Sequence, residues 1–366
     1  MIYVDNYLFA ATRVLLDLDI FRILAHSPEP LECSALAEKT GASTELLERL
    51  LKFICTQGFV HETGPDTYVA NPVTRVVASD GGAGSISDMF LTLKLLSRFP
   101  DFLKETAYAN PVDKDKSPWK YGIGTDDHYF AYISRPGREL MLQNFMNHMA
   151  WKTLGAKWFE MPDIMQAVFG DEKLSHDEVL IVDVGGSGGH DLVSFKQAHP
   201  DLAGRIILED LPATIEGVDT ELLAKHHIEP KPHDFFIAQP IQGAKAYYLK
   251  MVLHDWPDQQ CVEILSQLKP ALKHGYSRIL LNEIVIPEEG CNWFEAGVDM
   301  IMLTTQVLFV SPMCSICPLT GIHSHSAHER RERQWRDVIA KVGGLKVNKI
   351  WNVDGAVERV IEIQLQ

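Results

Sequence analysis

Val179-Leu180-Ile181-Val182-Asp183-Val184-Gly185-Gly186-Ser187-Gly188-Gly189-His190 is the stretch that decides the fold. Its first part is dominated by branched apolar side chains, which suits a strand buried on both faces, as in a parallel sheet. The strand runs straight into a glycine-rich turn, and His190 opens a segment with helical spacing. Strand, glycine turn and helix in that order make the first unit of a doubly wound sheet. In such a sheet ligands bind at that turn, where glycine lets the backbone approach them closely, and a nicotinamide enzyme would use the same kind of turn.

Downstream, the apolar runs Arg205–Leu208, Ala246–Leu249 and Arg278–Leu281 follow Val179–Val184 with helical stretches between them. The alternation predicts an α/β domain over residues 161–366, with a doubly wound, Rossmann-like, mostly parallel sheet. The second run ends in Glu209-Asp210, where a carboxylate at a strand tip can accept both hydroxyls of a ribose. Asp210 is the first choice and Glu209 the alternative; capping of the helix that follows at Pro212 is the structural reading of either acid.

Upstream, residues 3–25 predict one helix, with Leu8, Ala11, Val14, Leu15 and Leu18 at three- and four-residue steps. Beyond Pro28 and Pro30 a short helix holds Leu36 and Ala37. Gly41 then turns the chain, and Ser43 caps a second helix bearing Leu46, Leu47, Leu50, Leu51 and Ile54. Two short strands around Gly64-Pro65-Asp66 complete a winged helix in an N-terminal domain spanning 1–85. On the second helix Glu45 and Glu48 oppose Arg49 and Lys52, so it lacks the basic bias of a DNA-reading helix, and the domain is expected to dimerise. Residues 86–160 read as a helical linker and substrate-pocket region, rich in Met and aromatic residues that are mostly core. Phe145, Met146 and Met149 are the candidates to line the pocket, because thioethers and flat rings adapt to an apolar ligand without adding a charge to desolvate.

At 366 residues the chain is long enough for two cores. A formal charge of −15, with no basic run, argues against nucleic acid and anionic membrane as partners. No apolar stretch approaches the roughly 18 residues that span a bilayer. Met1 is not followed by a basic and then apolar leader, and the sparse cysteines make no disulfide framework, so a cytoplasmic protein is expected.

After the third run comes Tyr247-Tyr-Leu-Lys-Met-Val-Leu-His-Asp-Trp-Pro-Asp258. Asp183-Val-Gly-Gly186, Glu209-Asp-Leu-Pro212, His233-Asp-Phe-Phe236, Asn282-Glu-Ile-Val-Ile-Pro287 and Glu329-Arg-Arg-Glu-Arg-Gln-Trp335 complete an ordered set. Over nearly the whole chain this set resembles the plant-type and fungal small-molecule O-methyltransferases. The resemblance implies S-adenosylmethionine as cofactor, with Gly185 against it, Asp210 at its ribose, Asp234 and Phe235 at its adenine, and Lys250 on the adenine's far side. It also implies His254 as general base, with Glu283 and Glu329 as the acids beside it.

The chemistry agrees, because a phenol of pKa about 10 is a poor nucleophile until an imidazole near about 6.5 takes its proton. A sulfonium is already activated, so alignment and exclusion of water suffice and no metal is needed. A carboxylate on Nδ1 would hold the tautomer that leaves Nε2 able to accept a proton. Asp255 is expected to be structural, and the bland reading of His254 is a core histidine packed under Trp256. The acceptor implied is a small hydroxylated aromatic molecule. The partner implied is a second copy bound through the N-terminal domain, weakened here because the chain starts later than family members usually do. Two other functions stay in view. One is a methyltransferase-like protein that binds the cofactor but catalyses a pericyclic or dehydration step, which His254 argues against; the other is a winged-helix regulator with salt-dependent DNA binding.

Residues 310–326 have no counterpart in the family pattern and read as an insertion. Cys314 and Cys317 with His323, His325 and His328 have zinc-like spacing, but a loop without groups to orient those ligands makes a poor site. Val310-Ser311 can be encoded by a splice donor and Leu319-Thr320 by a branch point, so the segment also reads as a translated intron. As a genuine insertion it lengthens the path to Glu329.

Overall fold

The computed structural model describes residues 2–111, 116–127, 129–152, 155–170, 174–305 and 329–366. The insertion at 310–326, with Cys314, Cys317, His323 and His325, lies outside the described residues, as does His328. The chain separates into two compact units, Met1–Phe102 with Phe130–Leu154 and Leu103–Tyr129 with Gly155–Gln366, so the helical stretch 86–160 is shared between them.

In the first unit the single helix expected over 3–25 is two helices. Ile2–Asp17 ends where Asp19 takes a left-handed backbone at φ 56°, and Ile20–His26 continues beyond the break. Leu15, Ile20, Phe21 and Leu24 still reach one core, which is why apolar spacing alone hides the interruption. Cys33–Thr40 and Thr44–Thr56 form the helix-turn-helix; Gly41 supplies φ 72° and the Ser43 hydroxyl accepts the Leu46 N–H. The wing pairs His61–Gly64 with Thr67–Val69, and Leu31–Glu32 adds a third strand on the other edge of Thr67–Val69. Further along, the helices Asp80–Glu105 and Glu139–Lys152 approach closely at Gly84, where a Cβ would fall 2.7 Å from the Asn144 carbonyl oxygen.

The second unit is built on a seven-stranded sheet. In chain order its strands are β1 (Val179–Val184), β2 (Arg205–Asp210), β3 (Ile228–Pro232), β4 (Ala246–Lys250), β5 (Arg278–Glu283), β6 (Leu345–Asn352) and β7 (Arg359–Leu365). Across the sheet they lie in the order β6-β7-β5-β4-β1-β2-β3. The pairs from β3 to β5 are parallel, whereas β7 is antiparallel to β5 and β6 antiparallel to β7. β1 is buried on both faces, with Val182 and Val184 in one core and Leu180 in the other. Each such side chain contributes about 1.5–3 kcal/mol by leaving water. The chain order reverses between β1 and β4, so the carboxyl ends of these strands open a crevice. Among the described residues no helix is long and apolar enough to cross a membrane.

Candidate active site

Beyond β1 the chain turns through Gly185 (φ 76°) and Ser187 (φ 53°), and the helix His190–Ala198 follows Gly189 (φ 74°). The turn is held from β2. The N–H groups of Gly185 and Gly186 donate to the Glu209 carbonyl at 2.8 and 3.1 Å, and the Ser187 N–H donates to Asp210 Oδ2 at 2.9 Å. Contact excludes side chains here, since a Cβ on Gly186 would lie 2.4 Å from Asp183 Oδ2. One on Gly185 would stand 3.2 Å from Val252 Cγ2 and 3.6 Å from the Phe235 ring. Ser187 adopts the left-handed backbone at a cost of about 1 kcal/mol.

Neighbouring side chains along a strand point to opposite faces, and this separates the two acids at the tip of β2. Asp210 reaches the glycine turn, and its Oδ1 also accepts the Leu211 N–H at 2.8 Å. Glu209 is buried, accepts a bond from Gln239 Nε2 at 2.8 Å, and is raised in pKa by that burial. Next in the chain, the His233 N–H donates to the Asp210 carbonyl at 2.8 Å, and Asp234 Oδ1 accepts the Phe236 N–H at 3.0 Å. The Phe235 ring meets Trp256 edge to face with 6.0 Å between centroids.

At the end of β4 the Lys250 ammonium is committed to Asp191, 2.9 Å from its Oδ2. Lys157 lies 3.0 Å from Oδ1 of the same carboxylate, and the Tyr248 hydroxyl donates to Oδ2 at 2.9 Å. Burial opposes the charge on Asp191, yet the two ammonium groups hold its pKa below the ordinary value. Asp183 is pushed the other way, well above the carboxylate range, by burial and by the Asp191 charge.

β4 leaves the sheet through Met251, left-handed at φ 49°, into the short turn Leu253–Asp255. Glu283 at the tip of β5 fastens that turn, its Oε1 accepting the N–H groups of Val252 at 3.1 Å and Leu253 at 2.8 Å. The turn carries His254, whose Nδ1 is 3.1 Å from Glu329 Oε1 and whose Nε2 is 3.4 Å from Asp255 Oδ1. Arg330-Arg331 pairs in parallel with Val285-Ile286, which delivers Glu329 to the imidazole. His254, Glu283 and Glu329 are all buried. Burial works against a charged imidazole, but Asp255, Glu329 and Glu283 outweigh it and raise the His254 pKa to about 10. Burial also raises Glu283, to about 7, although the His254 charge pulls it down.

Family models match the chain twice, an O-methyltransferase dimerisation domain over residues 3–80 and an O-methyltransferase domain over residues 109–307. This chain belongs to the S-adenosylmethionine-dependent O-methyltransferases. It is 33% identical over 369 residues to the methyltransferase cfoC of Aspergillus candidus, covering 98% of this chain and 85% of that protein. It is 32% identical over 335 residues to the demethylsterigmatocystin 6-O-methyltransferase of Aspergillus parasiticus, covering 91% and 79%. Among solved structures it resembles one described as a pericyclic reaction enzyme, with TM-score 0.82, 28% identity and coverage of 100% and 88%. The structure of LepI in complex with S-adenosylmethionine gives TM-score 0.81 at 28% identity, with the same coverage. The chain is therefore an enzyme of the methyltransferase class, and its cofactor is S-adenosylmethionine.

In this O-methyltransferase the expected substrate residues do not share one environment. On the helix Glu139–Lys152, Phe145 is buried, Met149 half-buried and Met146 43% exposed. Phe145 and Met149 are one turn apart and lie on a face that Met146 does not share. The sequence did not single out Asp191, Tyr248 or Arg330, and it led to the expectation that Asp255, whose carboxylate lies 3.4 Å from His254 Nε2, is structural. Only Arg330, inside the Glu329-Arg330 motif, carried a signal that could have found it.

Proposed function

We propose that this O-methyltransferase methylates a phenolic hydroxyl of a small secondary metabolite, with His254 taking the hydroxyl proton. The observation that carries the reading is the buried imidazole on the β4 turn, with Nδ1 3.1 Å from Glu329. Among the relatives, the name of one places the methyl on an oxygen of demethylsterigmatocystin.

The residues at the crevice fit the cofactor. The carboxylate of Asp210 stands at the strand tip for the two ribose hydroxyls, and Gly185 leaves its backbone open to close approach. The Phe235 ring beside Gly185 suits a flat base, with Asp234 next to it. Lys250 acts through Asp191, steadying the helix that begins after the glycine turn. When bound, S-adenosylmethionine supplies a methyl group on a positively charged sulfur. Glu329 at Nδ1 keeps Nε2 as the atom that takes the proton. An imidazole near 10 is close to the pKa of a phenol, about 10, so the proton passes between them with little change in free energy. A sulfonium nearby disfavours the imidazolium and lowers that pKa on loading. Because His254 is fully buried, the acceptor reaches Nε2 as the surrounding chain gives way, and water is kept out.

The test is His254→Ala, assayed for release of S-adenosylhomocysteine with hydroxylated aromatic acceptors. The expected result is a fall in kcat of roughly 10²–10⁴-fold with unchanged cofactor affinity by calorimetry. Wild-type turnover in the variant would overturn the reading. A second reading, cofactor binding with a pericyclic or dehydration step, has one observation behind it, the likeness to the pericyclic enzyme. Product formed without release of S-adenosylhomocysteine would establish it. A homodimer through the N-terminal unit belongs to the same proposal. It is supported by the match to the dimerisation domain and by Tyr7, Val73 and Val76, which are exposed on that unit.

A further inference from the structure

Arg330 is fully buried and belongs to none of the groups that would move a proton. Its guanidinium makes three hydrogen bonds, all around the turn that carries His254. Nη1 donates to the Leu253 carbonyl at 2.9 Å, Nη2 to the Trp256 carbonyl at 2.6 Å, and Nε to Asp258 Oδ1 at 3.0 Å. Leu253 and Trp256 flank His254-Asp255 on either side. The guanidinium carbon sits 5.0 Å from the centre of the Trp335 ring, which closes the other face. Glu283 meanwhile takes the amides of Val252 and Leu253, so one turn is gripped at its N–H groups by a carboxyl group and at its carbonyls by a cation.

A planar guanidinium with donors in a fixed fork can hold two carbonyls and a carboxylate at set angles, which a point-charge ammonium cannot. Filling space on Trp335 does not require it, because an apolar side chain would do so without the desolvation that a buried cation incurs. Glu329 is the preceding residue, and the pairing of Arg330 with Val285 sets the register of both. One dipeptide thus reaches the imidazole at Nδ1 and the backbone on each side of it.

We propose that Arg330 is a positioning residue for methyl transfer, its guanidinium holding the Leu253–Trp256 turn so that His254 keeps Nδ1 on Glu329 and presents Nε2 to the acceptor. The inference rests on His254 being the base. Charged groups around the imidazole are Asp255, Glu283 and Glu329; around the guanidinium they are Asp258 and, 3.7 Å from Asp258, Lys341.

The experiment compares Arg330→Gln, Arg330→Lys, Asp258→Ala and His254→Ala with wild type. It measures kcat, KM, cofactor affinity by calorimetry and the pH at which the rate falls on the acid side. Arg330→Gln is expected to lose on the order of 100-fold in kcat, the scale of a 1 Å misplacement, with KM and cofactor affinity unchanged. Its acid limb should move to lower pH, because an imidazole drifting from its carboxylates loses their support. Arg330→Lys should recover part of the loss. An arginine that only stabilises the fold would leave kcat per folded molecule and the limb at wild-type values, and that result overturns the proposal. Should both Arg330 variants fail to fold, Asp258→Ala decides, since it removes one partner of the guanidinium from a half-exposed position. A smaller kcat loss with the same limb shift supports the clamp, and wild-type behaviour refutes it. If His254→Ala turns over like wild type, the base assignment falls. If it is inactive while Arg330→Gln and Asp258→Ala match wild type, the clamp alone falls.

Discussion

A histidine that holds two protons cannot accept a third, and at His254 three carboxylates favour that doubly protonated state, with a pKa near 10. Free enzyme must therefore lose a proton from His254 before it can act, so the rate should rise with pH well above the range of an ordinary imidazole. Glu329→Gln keeps the shape and an acceptor for Nδ1 but removes one negative charge. The imidazole pKa then falls, and the acid limb of kcat/KM should move to lower pH while kcat drops on the order of tenfold. A limb that stays in place would mean that Glu329 is not felt at the imidazole. Ser187 makes a second prediction at this scale. Its exposed side chain sits on a left-handed backbone, so Ser187→Gly should raise stability by about 1 kcal/mol or less, as read from a urea midpoint. Glu329 stood out in the sequence as part of a motif. What spacing could not convey was charge density, since Asp255, Glu283 and Glu329 come from three separate segments and only their meeting around one nitrogen-bearing ring changes its proton affinity.

Between the first two strands of the large sheet, the tip of β2 and the turn after β1 act as one element. Asp210 holds the Ser187 amide while presenting its carboxylate, so Asp210→Ala should both loosen the turn and remove the ribose acceptor. Charge-assisted hydrogen bonds are worth about 1.5–3 kcal/mol each, which corresponds to cofactor affinity lower by at least tenfold in calorimetry. Unchanged affinity would place the ribose elsewhere. Strands β1, β2, β4 and β5 were legible because buried parallel strands are written as unbroken branched apolar runs. β6 was not, since Lys346 and Lys349 interrupt Leu345–Asn352 and half of that edge strand faces water. The first helix was misread for the converse reason, its apolar rhythm continuing across the left-handed Asp19.

Folding the whole chain ties its stability to pH through these same groups. The His254 pKa is raised from 6.5, so the stability it contributes is fully present below 6.5 and is lost as pH rises through about 10. Glu283 has the same sign, raised from 4.5, with its contribution lost as pH rises through about 7. Asp191 has the opposite sign, its lowered pKa giving stability present above 3.8 and lost in acid. The urea midpoint of the wild type should therefore fall between pH 7 and pH 10, and His254→Gln should flatten that fall; an equal slope in both would deny the linkage. The amino-acid sequence by itself determined the doubly wound sheet, the winged helix, the glycine turn and the family, because local periodicity and short motifs are set by neighbours along the chain. Only the tertiary structure decided that the carboxylate of Asp210 rather than that of Glu209 meets the turn, that Lys250 is bound to Asp191, and that Glu329 and Arg330 close on His254 from beyond a long intervening segment. Those outcomes depend on which strand tips end side by side and which way each side chain then points, and neither is encoded at any single distance in sequence.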